Sequence, residues 1–297
     1  MTMKIGVIGG SGIYDIEGLN NLTELSVDTP FGQPSDNIIR GDLAGNQVFF
    51  LARHGKGHRI LPSELNHRAN IFAMKKLGVE AIVSMSAVGS FREELRPGDI
   101  VLVDQFVDRT RRPGIEHTFF GNGIVAHIGF SQPTCAHLRE ILHQTIQDML
   151  NEANPHGIQC VNTGTYLNME GPAFSTLAES KLYRSWGMDI IGMTNLAEAR
   201  LAREAEICYQ TVALVTDYDC WHEEFAPVDV QMIIKTLQQN ACFAKQLITR
   251  VVPVIGEKLH CESCRNALAG AIVTHPDHIP SETRRNLEPI IGRYLPA

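Results

Sequence analysis

The sequence predicts an α/β protein with a central β-sheet and helices packed against it. Three continuous, partly β-branched apolar runs predict buried strands, at residues 4–8, 48–52 and 211–215. Residues 133–150 and 228–251 instead repeat apolar side chains at the spacing of amphipathic helices. A chain that mixes buried strands with amphipathic helices is typical of a sheet covered by helices.

The composition excludes several classes of function. The chain has 297 residues, 44% of them hydrophobic and 20% charged, which is enough for one large domain or two small ones. A net charge of −7 argues against broad binding to nucleic acid or to an anionic membrane. No apolar run approaches the ~20 residues that span a bilayer, and the start of the chain leads into a strand rather than a signal peptide.

Seven cysteines are present, and most stand alone in apolar surroundings, as reduced core thiols of a cytoplasmic protein do. The exception is Cys261 and Cys264, which are separated by two residues. This spacing suits a local disulfide or half of a zinc site, but no second Cys-x-x-Cys or paired histidines follow. We therefore expect no metal, and two unpaired thiols rather than a disulfide.

Two of the predicted strands lead into turns that suit an anion. Gly9-Gly10-Ser11-Gly12 follows the first, and its missing side chains let backbone N–H groups approach a phosphate. The spacing is neither a dinucleotide fingerprint, because Asp15 replaces the third glycine, nor a P-loop. Arg53 and His54 follow the strand at 48–52, where a forked guanidinium beside an imidazole suits phosphate. A tight turn and a solvated basic loop are the respective alternatives.

Asp217 and Asp219 follow the strand at 211–215, where open α/β sheets place groups that contact ligands. If the backbone stays extended, the two side chains point to the same side. Like charges held close raise one of the two pKa values, so a carboxylic acid can persist near neutral pH as a proton donor. The alternative is an acidic turn that closes the strand.

Seven motifs occur in order: Gly9-Gly10-Ser11-Gly12, Asp28-Thr29-Pro30-Phe31-Gly32, Arg53-His54-Gly55, Ser86-Ala87-Val88-Gly89-Ser90, Glu170-Gly171-Pro172, Gly192-Met193-Thr194 and Thr216-Asp217-Tyr218-Asp219. Over residues 4–255 the chain thereby resembles the trimeric or hexameric purine nucleoside phosphorylases, and among them the 5′-methylthioadenosine phosphorylases. The resemblance implies one domain, residues 1–257, with a central mixed, partly barrel-like sheet flanked by helices (phosphorylase/hydrolase-like). Residues 258–297 are expected to form a C-terminal tail, a candidate oligomer contact.

The resemblance also assigns roles. The phosphate-binding positions fall on Ser11, Arg53, His54, Ser86, Ala87 and Thr194. Met193 matches a residue that packs against the ribose, and Phe174 matches one that stacks on the purine. Asp217 and Asp219 match the pair that reads the base: Asp217 as the catalytic donor to N7, and Asp219 at the amino group, where a carboxylate can only accept. Which of the two carries the proton stays open, because a coupled pair titrates as a unit.

Further positions bear on specificity and assembly. The 6-oxopurine enzymes of the family carry asparagine at the Asp217 position and glutamate where Ser175 stands, so both residues indicate adenine. Val230 matches an apolar position near the 5′ substituent and suits a methylthio group. His127, in a loop expected at 105–130, matches a histidine that reaches into a neighbouring subunit. This implies a homo-oligomer, with trimer and hexamer both open.

The resemblance implies phosphorolysis of 5′-methylthioadenosine to adenine and 5-methylthioribose 1-phosphate, a pentosyl transfer in purine and methionine salvage. Phosphate is the co-substrate. No metal or organic cofactor, nucleic-acid partner or membrane partner is expected, and the location is expected to be cytoplasmic. The alternatives are a 6-oxopurine or broad-specificity purine nucleoside phosphorylase and, in another class, an inactive nucleoside-binding module.

Overall fold

A computed structural model describes residues 2–10, 16–111, 114–222 and 230–296. At positions 114, 115 and 230–240 only the backbone is described. Ser11, a predicted phosphate ligand, lies outside the described residues. Val230 is the first residue of a long helix, and the structure describes no side chain there.

Eleven strands within the described part of the chain form one mixed sheet. They are β1 (Lys4–Gly9), β2 (Asn20–Leu25), β3 (Ile38–Leu43), β4 (Asn46–Ala52), β5 (Ala81–Ser90), β6 (Ile100–Leu102), β7 (Gln105–Arg109), β8 (Cys160–Val161), β9 (Thr165–Met169), β10 (Ile190–Gly192) and β11 (Cys208–Asp217). The main order is β2-β3-β4-β1-β5-β10-β9-β7, while β11 pairs with β5 and β6, and β6 pairs with β8.

The central mixed sheet flanked by helices agrees with the expected fold; the sheet branches at β5 and does not close among the described strands. The branching follows from the length of β5, which has ten residues. Its first half pairs with β1, and its last two residues pair antiparallel with β10. β11 runs parallel to β5 from Ala81 to Gly89. One long strand therefore serves three neighbours.

Helices lie on both faces of the sheet. They are α1 (His67–Lys76), α2 (Ala136–Glu152), α3 (Leu177–Ser185), α4 (Asn195–Glu204), α5 (Val230–Lys258), α6 (Glu262–Arg265), α7 (Ser281–Asn286) and α8 (Glu288–Ile291). Side chains of β4 alternate between two separate core clusters: Val48 and Phe50 join one, and Phe49 and Leu51 join the other. α2 and α5 supply the first cluster, whereas α1 and α4 supply the second.

Several element boundaries differ from the sequence prediction. The first helix begins at His67, because Asn66 caps it by accepting a hydrogen bond from the Ala69 amide at 3.0 Å. The loop expected to be irregular from residue 105 begins with β7, which pairs parallel with β9. The last long helix continues past Pro253 to Lys258.

The expected tail, residues 258–297, packs onto the rest of the chain. It supplies buried side chains to the second core cluster, namely Leu268, Ala271, Ile279, Leu287, Ile290 and Ile291. Two ion pairs join it to the loops that flank the sheet, Arg265 with Glu80 at 3.0 Å and Arg293 with Glu206 at 2.9 Å. Within the described residues, no helix is both long enough and apolar enough to cross a membrane.

The fold brings several predicted site residues, those at the ends of parallel strands, to one edge of the sheet. β1, β4, β5 and β11 run parallel to one another in this part of the sheet, so their carboxyl ends meet at the same edge. Gly10 follows β1, Arg53 follows β4, and Asp217 ends β11. The carboxyl half of β5 lies among them.

Glu204, the last residue of α4, makes stability depend on pH. It is buried and accepts hydrogen bonds from the Phe119 amide and the Thr118 hydroxyl, both at 2.7 Å. Burial nevertheless raises its pKa from 4.5 to about 7. The folded chain thus holds this proton more tightly than the unfolded chain, and stability is lost as the pH rises across that window.

We expect the free energy of unfolding to fall by roughly 3 kcal/mol, relative to Glu204→Gln, between about pH 4 and about pH 8, at about 1.4 kcal/mol per pKa unit. The glutamine oxygen still accepts from the Phe119 amide and its NH₂ group can donate to the Thr118 hydroxyl, but the side chain does not titrate. Urea unfolding of the two proteins at a series of pH values measures the difference. Parallel stability curves across the range would contradict the assignment.

Candidate active site

Arg53 is buried and forms an ion pair with Glu198 of α4, which is buried as well. Its Nε donates to Glu198 Oε1 at 2.5 Å, and Nη2 donates to Glu198 Oε2 at 3.2 Å. Nη2 also donates to Ser84 Oγ at 2.6 Å, and Nη1 donates to the Met85 carbonyl at 2.9 Å. Of the five guanidinium N–H groups, one on Nη1 has no partner among the described residues. Arg53 thus offers a ligand one hydrogen bond rather than a fork.

The ion pair keeps both groups charged. Burial alone would lower the pKa of Arg53, but the charge and hydrogen bonds of Glu198 raise it above its ordinary value. Burial alone would likewise raise the pKa of Glu198, but Arg53 holds it below the ordinary range. A positive charge is therefore fixed at the end of β4 and balanced by a carboxylate behind it.

His54 is neutral at pH 7. Burial lowers its pKa to about 4, and the neighbouring Arg53 charge adds to this. Its Nδ1 lies 2.8 Å from the Ile60 carbonyl oxygen, which can only accept, so Nδ1 carries the proton. The ring stacks on His58 with centroids 4.3 Å apart. Nε2 is therefore a hydrogen-bond acceptor, set beside the charged Arg53.

Tyr166 links two predicted phosphate residues. Its hydroxyl lies 3.4 Å from Ser86 Oγ and accepts from the Thr194 amide at 3.5 Å. Thr194 is the N-cap of α4, and its hydroxyl donates to Asn195 Oδ1 at 3.0 Å. The amino-terminal end of α4, which attracts anions, thus lies beside Ser86.

Ala87 and Met193 lie on opposite sides of the same pairing. β10 runs antiparallel to β5 with Ile191 opposite Gly89, so Met193 follows β10 beside the segment that contains Ala87. Ala87 is exposed in the middle of an otherwise buried strand end. The Met193 carbonyl accepts from Asn168 Nδ2 at 3.3 Å. An exposed backbone segment and a half-buried methionine thus adjoin the Ser86 and Thr194 hydroxyls.

Asp217 lies at a register shift in the β11–β5 pairing, where it stands opposite Gly89. Its Oδ2 accepts from the Thr216 hydroxyl, and its Oδ1 accepts from the Asp219 amide, both at 2.7 Å. The extended backbone stops here, because Asp219 has a φ of 52°. The extended geometry considered for the two carboxylates is thus replaced by a turn that closes on the Asp217 side chain.

Both carboxyl groups have raised pKa values. Burial is the main cause at Asp217, opposed by its two hydrogen bonds. Burial is also the main cause at Asp219, and the charge of Asp217 adds to it. Asp219 Oδ2 is buried without a hydrogen-bond partner in the part of the chain that the structure describes. The pair therefore favours a bound proton more than exposed aspartates do.

The loop after β9 covers this turn. The Ser175 carbonyl accepts from Cys220 Sγ at 3.3 Å, so Ser175 lies against the residue that follows Asp219. A Cβ on Gly171 would lie 2.5 Å from Met193 Sδ, which places the start of the loop over Met193. Phe174 is 47% exposed between them. An exposed aromatic ring in this loop is available to stack on a planar ligand.

One predicted residue lies apart from these contacts. His127 is exposed, and its amide donates to the Ala271 carbonyl at 2.9 Å, so it lies against the C-terminal segment. A separate groove of about 940 Å³ is lined by residues such as Arg92, Lys181 and Arg184 and by none of the predicted site residues. This groove is therefore separate from the candidate active site.

Sequence reasoning missed the buried polar side chains beneath the site. Asn195 Nδ2 donates to Ser84, Tyr209 and Thr211, and Tyr209 donates to Glu198 at 2.9 Å. Glu198 did carry a signal, because it lies three and four residues before Leu201 and Ala202 on the apolar face of α4. A charged residue at such a position needs a buried partner. Tyr166 and Tyr209 carried no such signal, since buried tyrosines are common.

A substitution at Gly89 tests whether the turn at Asp217 matters for activity. A Cβ there would lie 2.9 Å from Asp217 Oδ1 and 3.1 Å from Ile191 Cγ2. We expect Gly89→Ala to displace the carboxylate and to lower kcat/KM for the nucleoside substrate that the resemblance implies at least about tenfold, with about 1–3 kcal/mol lost from the free energy of unfolding. Gly129→Ala is the matched control, because a Cβ there meets nothing within 4 Å. Equal kinetics of the two variants would contradict the prediction.

Comparisons with known proteins show the family to which the chain belongs. The model of the phosphorylase superfamily matches residues 4–253. The S-methyl-5′-thioadenosine phosphorylase of Geobacter sulfurreducens is 53% identical over 295 residues, which cover 99% of this chain and 100% of that protein. The enzyme of the same name from Gloeobacter violaceus is 54% identical, and the alignment covers 98% of this chain and 96% of that protein.

A solved structure extends the agreement to the fold. The crystal structure of a methylthioadenosine phosphorylase from an Antarctic soil metagenomic library superposes with a TM-score of 0.90 at 45% identity. The match covers 97% of this chain and 99% of that one. The chain belongs to the phosphorylase superfamily, among the S-methyl-5′-thioadenosine phosphorylases.

Proposed function

We propose that this protein catalyses phosphorolysis of 5′-methylthioadenosine to adenine and 5-methylthioribose 1-phosphate. The observation that carries the proposal is the arrangement along β5. Two residues of this strand, Ser86 and Gly89, are three positions apart. Ser86 lies near Arg53 and Thr194, and Gly89 lies opposite Asp217. At about 3.3 Å per residue, the two groups are separated by about 10 Å, which suits a nucleoside lying between phosphate and base-reading groups.

We assign phosphate binding to the group of residues around Ser86. The Ser86 hydroxyl, the backbone at Ala87 and the amino-terminal end of α4 supply donors, and Arg53 adds its remaining N–H. The Thr194 hydroxyl joins them by turning its hydrogen from Asn195 Oδ1 to the anion. We include Ser11 on the resemblance alone. His54 has a narrower role: its neutral Nε2 accepts a hydrogen bond from the P–OH of monohydrogen phosphate. That contact orients the anion without adding charge.

The reaction then proceeds with early loss of the base. The C1′–N bond breaks ahead of bond formation, and the phosphate dianion stabilises the resulting ribosyl cation. Met193 packs against the ribose. A phosphate oxygen then bonds to C1′, and the bond electrons leave with the purine. No metal or organic cofactor is required in this sequence, because phosphate is the co-substrate.

Asp217 acts as the acid at the base. Its raised pKa favours the protonated form, from which it donates to N7 and makes adenine a better leaving group. Asp219 accepts from the amino group of adenine, and Phe174 stacks on the ring. Ser175 favours an aminopurine over an oxopurine, and Val230 favours the methylthio substituent.

We propose a homo-oligomer, trimer or hexamer, in which His127 reaches the pocket of a neighbouring subunit. Its exposure, beside Val125 at 48% and Val273 at 67%, supports an interface on this surface. The cytoplasm is the proposed location, supported by seven cysteines that are all free thiols.

Release of adenine from methylthioadenosine, measured with and without phosphate and beside adenosine and inosine, tests the function. We expect release that depends on phosphate, with methylthioadenosine preferred to inosine. Adenosine is included because a similar protein, the adenosine/methylthioadenosine phosphorylase of Schistosoma mansoni, carries both substrates in its name. A variant of that protein, crystallised with methylthioadenosine, is 34% identical with a TM-score of 0.81, and the match covers 91% of this chain and 96% of that one. Release without phosphate, or binding without release, would reject the proposal.

A further inference from the structure

Four cysteines meet in the core, far apart in the sequence. The sulfur atoms of Cys135, Cys208, Cys261 and Cys264 all lie within 4.8 Å of one another. None is more than 6% exposed, and all four belong to the first hydrophobic cluster. All are free thiols, so the local disulfide considered for Cys261 and Cys264 is not formed. This cluster takes no part in the proposed reaction.

Hydrogen bonds hold the segments that contain Cys135, Cys208 and Cys261 in place without a bound metal. Cys135 is the N-cap of α2, and its amide donates to the Tyr209 carbonyl at 2.9 Å, next to Cys208. The Cys208 amide donates to the Glu80 carbonyl at 3.0 Å. The His137 ring contacts the His260 carbonyl at 2.5 Å, which joins the segment of Cys135 to that of Cys261.

We propose that these four cysteines bind one Zn²⁺ as a structural tetrathiolate site. Bonds of about 2.3 Å in a tetrahedron place neighbouring sulfurs about 3.8 Å apart, within the observed limit, so a small contraction of the cluster forms the site. Cys261 and Cys264 supply the Cys-x-x-Cys pair found in structural zinc sites. Cys135 and Cys208 supply the second pair, which only the fold brings together.

The chemistry of the four donors selects the metal. Four thiolates in a compact tetrahedral arrangement favour zinc over magnesium or calcium, which prefer oxygen. An iron–sulfur cluster must fit several iron and sulfide atoms between its cysteines and therefore needs a wider cage. When zinc displaces the thiol protons, the site carries a net charge of −2. Arg203, which donates to the Gln132 and Thr134 carbonyls next to Cys135, places a compensating positive charge nearby.

The position of the site indicates a structural role. Cys208 begins β11 and Asp217 ends it, so about 30 Å of strand separates the cluster from the base-reading pair, at about 3.3 Å per residue. Zinc here would fasten the segment that starts at Cys261 to α2 and β11. That segment leads to the side chains that the C-terminal residues add to the second core cluster.

Metal content of the purified protein tests the proposal. After purification under reducing conditions without chelators, mass spectrometry of metals should find about one zinc per chain. Cys264→Ser should lose nearly all of it, whereas Cys242→Ser, at an exposed cysteine outside the cluster, should keep it. The wild-type protein stripped of metal should bind one Co²⁺ and show the absorption of a tetrahedral cobalt thiolate, so the test does not depend on a variant that folds.

Three results would overturn the proposal. They are a metal-free protein that also fails to bind Co²⁺, non-reducing peptide maps that join these cysteines in disulfides, and iron with acid-labile sulfide in place of zinc. Phosphorolysis is assayed in parallel. A zinc-containing protein without phosphorylase activity would reject the proposed function while leaving the metal site standing.

Discussion

Asp217→Asn is expected to lower kcat/KM for methylthioadenosine by roughly 10²-fold, the order supplied by a general acid, and to raise turnover of inosine. An amide cannot transfer a proton to N7, but its NH₂ group can donate to the 6-oxo oxygen of hypoxanthine. The turn should survive, because the amide oxygen still accepts from the Asp219 amide and the Thr216 hydroxyl can accept as well as donate.

The pH profile separates an acid from a residue that only positions the base. The raised pKa of Asp217 means that the competent, protonated form is lost as pH rises through it, so wild-type kcat/KM should decline at its basic end. Asp217→Asn should lack that decline. Asp277→Asn, in an exposed part of the C-terminal segment, is the charge-matched control and should leave both substrates unchanged. If Asp217→Asn keeps the wild-type preference for methylthioadenosine over inosine, Asp217 does not read the base.

Arg53→Ala is expected to raise the KM for phosphate at least about tenfold and to lower the free energy of unfolding by about 3–5 kcal/mol. Two effects are combined here. The variant removes a donor to the anion, and it also leaves the buried Glu198 carboxylate without its counter-charge. Loss of activity in this variant alone would therefore not identify a phosphate ligand.

The double variant Arg53→Met with Glu198→Gln separates the effects, because it removes both buried charges and keeps an acceptor for the Ser84 and Tyr209 hydroxyls. We expect it to regain most of the stability in urea unfolding while the phosphate KM stays high. Arg250→Met breaks the exposed pair with Glu152 and, as the control, should leave the stability and the phosphate KM essentially unchanged. A wild-type phosphate KM in the double variant would remove Arg53 from the phosphate site.

The sequence by itself determined where the candidate functional residues lie along the chain. Apolar runs that end in glycine, hydroxyl or charged residues predicted the strand ends after β1, β4 and β11, and the structure places all three at one edge of the sheet. Periodicity also predicted α2 and most of α5. These features are local, because strand burial, turn chemistry and amphipathic spacing are each written within a dozen consecutive residues.

Only the tertiary structure decided the state of these groups. The partner of Arg53 lies 145 residues away, so its engagement with Glu198 was invisible in the sequence. The turn at Asp219 depends on a hydrogen bond to the Asp217 side chain, and the pKa values of both depend on burial. Cys135 and Cys208 appeared as isolated core cysteines until the fold placed them beside Cys261 and Cys264. Pairing and burial across long sequence separations set the protonation of these groups and bring the four cysteines together, and no local pattern encodes them.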